Sequence, residues 1–310
     1  MLGPIPDSQL GFTLSHEHIL TSQGQGTKHY PWMFDWDSAR RVAVESLNEM
    51  KTFGIDSLID LTTPDLARDI NFIVDVVTAT QAQVVVATGM WRDVPRSFAV
   101  REIDESADIF VREIEVGIDD SGVKAGVIKV ANDENELTPA HERVLRAAAR
   151  ASNRTGCPIS THHWAQGKQG LEQVRIFQEE DVQMDRVCIG HSADTDDLDY
   201  LETLLNAGVY LSMDRYPGVP PRLGWEQRNA SVKALIDRGW AGRLMLGHDG
   251  HATFPFPLNV PPPEGGHRPD GSLLFVSRTA IPALLEQGVS QDDIDLMTKE
   301  APRRFLAGTD

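Results

Sequence analysis

Two histidines separated by one residue, His16 and His18, are the first residues of the chain whose types and spacing could do chemistry. They end an apolar run that begins at Leu10. An extended strand puts alternate side chains on one face, about 7 Å apart, where two neutral imidazoles can begin a metal site that other strands complete. Such a pair also occurs on ordinary solvated strands, so the pair alone leaves both interpretations open.

Further residues of metal-ligand type follow other short apolar runs. In chain order they are Lys129, His162 with His163, His191, and His248 with Asp249. Because strand side chains alternate, His162 is predicted to face inward with Ser160, and Asp249 to face inward while His248 faces outward. His163 is then predicted to face a helix or a neighbouring loop.

Several other polar residues have simpler explanations. Asp194, Asp196 and Asp197 look like a calcium loop, but we expect them to cap and charge the amino end of a helix, where carboxylates are favoured. His251 lies close enough to Asp249 to be mistaken for a ligand. The remaining histidines, which we interpret as surface residues, are His29, His141 and His267.

The elements that must position these residues alternate between strand and helix. Helical spacing is clearest at 38–45 and after Thr138, which is a predicted N-cap followed by Pro139 at the first helical position. The predicted strands are 12–18, 57–61, 83–88, 126–130, 158–163, 186–191, 209–213 and 243–249. Strict alternation predicts a parallel sheet with crossover helices, and eight repeats predict an α/β fold, a (β/α)8 TIM barrel forming a single domain over 1–310.

In such a barrel the carboxyl ends of all strands meet at one face, so distant residues become neighbours there. The alternative architecture is an open doubly wound sheet. However, no Gly-x-Gly-x-x-Gly turn follows an early strand, and the chain has no phosphate loop with Gly-Lys-Ser/Thr. A Pro/Gly-rich stretch at about 250–272 is too long for a simple turn, and we expect it to cover the active site. A surface insertion is the alternative.

The acidic composition narrows the range of partners. Lys+Arg number 29 against Asp+Glu 46, a formal net charge of −17, which disfavours nucleic acid and anionic membranes. No apolar run reaches the ~18 residues needed to span a bilayer.

The two cysteines, Cys157 and Cys188, fit buried thiols in a reducing compartment, and residues 1–7 lack a signal-peptide pattern. We therefore expect a cytoplasmic protein whose partner is a small molecule.

The ordered set of motifs resembles the phosphotriesterase-like lactonases of the amidohydrolase superfamily, which hold a binuclear metal centre in a (β/α)8 barrel. The resemblance covers nearly the whole chain, from 15–18 through 126–130, 159–162 and 189–198 to Asp249 and 302–305. The ligands that it implies are His16, His18 and Asp249 for one metal, His162 and His191 for the other, and N-carboxylated Lys129 bridging both.

An anionic bridge suits Lys129, because an ammonium beside two divalent cations would be strongly disfavoured. The alternative is an ion-paired barrel lysine. We expect zinc, although cobalt, iron or manganese also suits a mixed nitrogen and oxygen donor set.

The resemblance also implies a reaction, in which a metal-bridging hydroxide attacks an ester-like bond and Asp249 passes the proton to the leaving group. The segment Asp214-Arg215-Tyr216 resembles the Asp-Arg-Tyr segment of the family's lactonases, where the arginine shapes the pocket. Trp91 stands where many lactonases have a tyrosine and organophosphate triesterases a tryptophan, so we interpret it as an apolar wall. The predicted substrate-binding residues are Met90, Trp91, Arg215 and Tyr216.

Lactone opening is thus the predicted function, with N-acyl homoserine lactones as substrates (quorum quenching) and organophosphate triesters as a side activity. The acyl chain is predicted to lie along the long loop, against Phe254, Phe256, Leu258 and Val260. One alternative is a phosphotriesterase or another carboxylic or phosphoric ester hydrolase. Another is a barrel that binds metal without catalysis. The family further implies a homodimer, although the sequence identifies no interface.

Overall fold

A ring of parallel strands is the frame of the structure. This computed structural model describes residues 1–22, 26–132, 137–258 and 273–308. Its strands are β1 (Thr13–Leu20), β2 (Phe34–Asp35), β3 (Ser57–Asp60), β4 (Gln83–Met90), β5 (Val127–Ala131), β6 (Ile159–His162), β7 (Val187–Ile189), β8 (Tyr210–Met213), β9 (Leu244–Leu246), β10 (Gly250–Thr253) and β11 (Phe256–Pro257). Parallel neighbours follow the order β10-β1-β3-β4-β5-β6-β7-β8-β9, whereas β2 and β11 form a separate antiparallel pair.

The ring closes through an interrupted eighth strand. Strand β9 pairs with β8, and after a short turn β10 pairs with β1. The backbone N–H of Asp249 bridges the gap by donating to the carbonyl of His16 at 2.9 Å. The predicted (β/α)8 barrel is confirmed, but the prediction of one continuous strand over 243–249 is wrong in its last three residues, because the chain turns there to change partner.

Helices surround the ring. They are α1 (Gly26–His29), α2 (Trp36–Thr52), α3 (Ile70–Thr80), α4 (Arg96–Val100), α5 (Ile103–Glu115), α6 (Pro139–Thr155), α7 (Gly170–Glu179), α8 (Leu198–Asn206), α9 (Trp225–Asp237), α10 (Ile281–Glu286), α11 (Gln291–Asp295) and α12 (Ala301–Ala307). Helix α6 begins as predicted, with the Thr138 side chain accepting from the N–H of His141. Helix α2 extends beyond the predicted 38–45 and is capped by Asp35, which accepts from Ser38. No helix in the described ranges has the length and apolar character needed to cross a membrane.

Apolar side chains fill the lower half of the lumen. Val127 lies two residues before Lys129 on β5 and therefore shares its face, nearer the amino end of the ring. Val127 belongs to a buried cluster with Tyr210 and Phe305, and the rings of the latter two lie 5.8 Å apart. Helix α12 thus packs against the amino end of the barrel, at the opposite end from Lys129. Cys188 is in this cluster, and both cysteines are buried and free, as predicted.

The Pro/Gly-rich segment does not begin as a loop. Its first residues, Gly250–Thr253, continue the barrel as β10, and Phe256–Pro257 pairs with β2. The predicted start of the loop at about 250 is therefore wrong, because these residues satisfy their backbone in strand pairing. Residues 259–272, which include Val260 and His267, lie outside the described residues.

Candidate active site

The proposed ligands of the first metal converge at the carboxyl end of the ring. Oδ1 of Asp249 lies 3.2 Å from Nε2 of His18 and 3.5 Å from Nε2 of His16. The same nitrogen of His16 lies 3.1 Å from Nζ of Lys129. Ligand atoms of His16, His18 and Asp249 are close enough to one another to share a single cation. The three residues come from β1 and from the turn between β9 and β10, so barrel closure assembles this group.

The proposed ligands of the second metal lie beside the first group. Nε2 of His191 is 2.7 Å from Nδ1 of His162, and the His191 ring stacks on that of His16 with centroids 4.7 Å apart. Burial lowers the pKa of His191 well below its usual value and also lowers that of His16. Burial thus favours the neutral form of both imidazoles, which is the form that binds a metal. The donor set of nitrogen and carboxylate oxygen fits two divalent ions.

Asp214 orients two of these imidazoles and was not among the residues predicted for the site. Its Oδ2 lies 2.8 Å from Nδ1 of His16, and its Oδ1 lies 2.9 Å from Nδ1 of His191. Burial opposes its ionisation, but His191 and His16 outweigh burial and hold the pKa of Asp214 well below its usual range. A carboxylate only accepts, so both Nδ1 atoms carry protons and both Nε2 lone pairs remain for a metal. The position of Asp214 directly after β8 was the sequence signal for it.

Lys129 is buried on the same face. Its side chain contacts Nε2 of His16 and the carbonyl of Thr161, both at 3.1 Å. These partners are an imidazole and a carbonyl, whereas the alternative of an ion-paired lysine requires a carboxylate in contact. Burial is the main cause that lowers the pKa of Lys129 to about 8. The ammonium form therefore gives up its proton more readily than that of an exposed lysine.

Arg215 links the site to a chain of alternating charges. Its Nε donates to Oδ2 of Asp249 at 3.0 Å, and its Nη1 donates to Oδ2 of Asp194 at 2.6 Å. Buried Arg228 donates to the other oxygen of Asp194 at 2.7 Å. The prediction that Asp194 caps a helix is wrong, because these two guanidinium groups draw its carboxylate toward the barrel. Asp197 does cap α8, accepting from the N–H of Tyr200.

Three of the site residues have left-handed backbone conformations. The φ angles are +63° at His191, +65° at Arg215 and +50° at Asp249, each just after a strand of the ring. Non-glycine residues adopt this region rarely, and such residues cluster at functional sites. Gly247 allows the close approach of the eighth strand to β1, because a Cβ there would lie 3.0 Å from the backbone nitrogen of His16.

A cavity of about 170 Å³ opens onto these side chains. Its wall contains all six proposed metal ligands together with Thr21, Ser22, Leu66, Trp91, Arg215 and His251. The Trp91 ring meets His162 edge to face, with centroids 5.5 Å apart, as an apolar wall would. Two of the four predicted substrate residues, Trp91 and Arg215, therefore lie at the cavity.

The other two predicted substrate residues have different surroundings. Met90 is buried in the hydrophobic core, since it is in register with Val130 and faces away from Lys129. Tyr216 is buried, and its hydroxyl donates to Oδ1 of Asn229 at 2.8 Å. These positions do not support substrate contact by either residue. Strand alternation turns Met90 into the hydrophobic core, and the hydrogen bond to Asn229 holds the Tyr216 hydroxyl away from the cavity.

The neighbouring histidines divide as strand alternation predicts. His163 faces outward to the carbonyl of Gly190 and the hydroxyl of Tyr200, and burial lowers its pKa to about 4. His248 also faces outward, toward Glu17. His251 does line the cavity, and its ring stacks on His18 at 5.2 Å.

Comparisons with known proteins agree with this geometry. The sequence model of the phosphotriesterase family matches residues 1–306. The chain is 41% identical over 316 residues to the phosphotriesterase homology protein of Mycobacterium tuberculosis, covering 98% of this chain and 95% of that protein. It is 35% identical over 305 residues to the aryldialkylphosphatase of Saccharolobus solfataricus, covering 98% and 97%.

A solved structure is similar over the same length. The phosphotriesterase from Mycobacterium tuberculosis aligns with a TM-score of 0.89 and 40% sequence identity, covering 98% of this chain and 96% of that one. Taken with the barrel and the converging histidine, lysine and aspartate side chains, these matches show that the chain belongs to the phosphotriesterase family of metal-dependent ester hydrolases.

Proposed function

We propose that this protein is a lactonase that opens N-acyl homoserine lactones and thereby acts in quorum quenching, with side activity on organophosphate triesters. The observation that carries the proposal is the position of Arg215. Its segment resembles that of the family's lactonases, and its guanidinium lies at the cavity wall in contact with Asp249.

The metal centre is the first part of the proposal. His16, His18 and Asp249 would hold one divalent ion, and His162 and His191 the other, with N-carboxylated Lys129 shared between them. Zinc is the metal we propose, with cobalt, iron and manganese as alternatives. When bound, the metals would activate a water molecule and polarise the electrophilic oxygen of the substrate.

Asp249 is the proposed proton acceptor. Burial raises its pKa, but His191, His16, His18 and Arg215 outweigh burial and hold the pKa of Asp249 well below its usual range. It is therefore ionised at neutral pH and able to take a proton from the attacking water. It then delivers this proton to the ring oxygen as the ester bond breaks, so that water adds across that bond and one hydroxy acid results.

Arg215 and Trp91 shape the pocket around the reacting bond. Burial opposes the charged form of Arg215, but Asp249 and Asp194 outweigh it and raise its pKa, so the residue stays a cation. Its charge is available to a carbonyl oxygen of the substrate and is held in place by both carboxylates. Trp91 excludes water from one side, since an indole ring offers only a single donor.

The acyl chain must extend beyond the described cavity. A volume of about 170 Å³ is smaller than the ~300–1,000 Å³ of pockets that enclose drug-sized ligands. Phe254 is the best placed of the residues predicted to contact the chain, because its ring lies 4.5 Å from that of His251 at the cavity wall. Phe256 is buried, whereas Leu258 is 48% exposed.

Phosphotriester hydrolysis is the second candidate, favoured by Trp91 and by the similarity to an aryldialkylphosphatase. A panel of N-acyl homoserine lactones of graded acyl length and aryl dialkyl phosphotriesters, with bound metal quantified, separates the two. We expect kcat/KM for the best lactone to exceed that for the best triester by about 10-fold or more, the discrimination a shaped pocket provides. The reverse order would establish the triesterase instead.

The assembly and cellular location are further proposals. A homodimer is supported by the resemblance to the lactonases, and light scattering should give twice the mass of one chain. A single chain mass at micromolar concentration would refute the dimer. Cytoplasmic location and one domain over 1–310 stay predictions from the sequence.

A further inference from the structure

Glu17 lies between two proposed metal ligands in sequence but faces the opposite side of β1. Its side chain is fully buried. Oε1 accepts from the backbone N–H of His248 at 2.7 Å and from the ring Nδ1–H of His248, also at 2.7 Å. Oε2 accepts from the backbone N–H of Gly250 at 3.0 Å. These three donors flank Asp249 on both sides.

The contact between Val276 and the His248 ring shows which ring nitrogen carries the proton. The backbone N–H of Val276 donates to Nε2 of His248 at 3.0 Å. A backbone N–H can only donate, so Nε2 carries no proton and the neutral ring has its proton on Nδ1, toward Glu17. All three hydrogens therefore point at Glu17, and only a carboxylate accepts on both oxygens at once.

The turn at 248–250 contains a backbone conformation that non-glycine residues rarely adopt. Asp249 has φ +50° and lies where the eighth strand leaves β8 and joins β1. The Asp249 N–H is already used by the carbonyl of His16. The N–H groups on either side of Asp249 thus require another acceptor, and Glu17 supplies it from across the ring closure.

We propose that Glu17 is a positioning residue, whose carboxylate fixes the turn at 248–250 and so aims Asp249 at His16 and His18. The inference rests on the proposed role of Asp249 in metal binding and proton transfer. It gives the central residue of the His-Glu-His motif a task distinct from that of its two neighbours.

The Glu17→Gln variant tests this directly. An amide can accept on one atom only, so one of the donors around Asp249 meets an NH2 group and the turn loses its fixed geometry. We expect affinity for zinc, measured by competition with a chromophoric chelator, to fall about 10- to 100-fold, as is typical when the support of a ligand is lost. The kcat for lactone opening should fall with it.

A double-mutant cycle distinguishes positioning from general damage. Because Glu17 acts through Asp249, its replacement should have little further effect once Asp249 is changed. Adding Glu17→Gln to Asp249→Asn should therefore change zinc affinity by less than about 2-fold, which is close to the smallest coupling that such a cycle resolves. A loss in the double variant equal to the product of the two single losses would overturn the proposal.

Asp65 provides a matched control. It is also buried and accepts from one side chain and two backbone groups, namely Thr63 Oγ1 at 2.6 Å, Trp91 N–H at 3.0 Å and Asp93 N–H at 3.1 Å. Asp65→Asn should lower the melting temperature as Glu17→Gln does, yet keep zinc affinity within about 2-fold of the parent protein. Equal loss of zinc affinity in both variants would contradict a specific role for Glu17.

A second variant covers the case in which Glu17→Gln does not fold. In His248→Gln the amide oxygen can take the place of Nε2 and accept from Val276, while no N–H remains at the position of Nδ1, where the ring donates to Glu17. We expect a smaller loss of zinc affinity that again disappears in the Asp249→Asn background, and a loss that persists there would overturn the proposal.

If zinc affinities couple in this way but no lactone or triester is hydrolysed, the inference stands and the proposed function fails. If hydrolysis is present and unchanged in Glu17→Gln, the inference fails alone.

Discussion

Nε of Arg215 donates to Oδ2 of Asp249 at 3.0 Å, while Oδ1 of the same carboxylate faces His18 and His16. The two oxygens of Asp249 thus have different neighbours, one a fixed cation and the other a pair of imidazoles. Arg215 is itself held by Asp194. The carboxylate is consequently oriented from both sides before substrate binds, which is the arrangement expected of a group that moves a proton between defined atoms.

Replacement of that carboxylate should nearly abolish turnover. In Asp249→Asn the amide cannot accept a proton, and we expect kcat for the best lactone to fall ~100-fold or more, the contribution typical of general acid–base catalysis. Circular dichroism would verify that the variant is folded. A kcat close to that of the parent enzyme would refute the role assigned to Asp249.

Arg215→Lys should weaken catalysis although it preserves the charge. A lysine ammonium cannot donate from two fixed nitrogens to Asp249 and Asp194 together. We expect kcat/KM for lactones to fall about 10-fold or more, as loss of a charged hydrogen bond predicts.

The control for this change is Arg243→Lys. Arg243 donates to the carbonyl of Gly208 and stacks over Tyr210 at the closed end of the barrel. Its replacement should lower stability without a comparable loss in kcat/KM. Similar losses in both arginine variants would show that the Arg215 effect is not local to the site.

Asp214→Asn should lower metal affinity without removing a ligand. The amide presents an N–H group to one of the two Nδ1–H donors, so His16 or His191 loses its orientation. We expect zinc affinity to fall about 10- to 100-fold in chelator competition. The companion variant Ser212→Ala removes only one hydrogen bond to Asp214 and should cause a smaller loss. Unchanged affinity in Asp214→Asn would exclude an orienting role.

Reloading of chelated protein should depend on carbon dioxide and pH. Only the neutral amine of Lys129 can add carbon dioxide, and its pKa is lowered to about 8 by burial. The neutral fraction of the amine grows as pH rises through that value. At constant dissolved carbon dioxide and constant zinc, the recovery of lactonase activity should therefore accelerate between pH 7 and pH 9. This range follows from the lowered pKa of Lys129.

Lys129→Met is the control for this dependence, since it has no amine to carboxylate. Its metal content should be insensitive to carbon dioxide. Recovery in the parent protein that does not change when carbon dioxide is removed would argue for an unmodified lysine.

Much of the barrel could be predicted because its signals are local. Alternation along β1 places His16 and His18 on one face, and the Thr138 and Pro139 pair marks the start of α6. Met90 shows the limit of such reasoning. Met90 precedes Trp91 in sequence, but this proximity does not bring it to the cavity. Its register with Val130 in the adjacent strand turns its side chain away from Lys129.

The sequence by itself determined the alternation of strands and helices, the faces of the barrel strands that carry the histidines, and the set of side chains proposed to bind metal. Only the tertiary structure decided which groups support that set. Glu17 and His248 are 231 positions apart, and His16 and Asp214 are 198 apart, yet each pair is in contact. The physical reason is the closed ring of strands, which brings the carboxyl ends of distant strands to one face and so creates contacts that no local periodicity encodes.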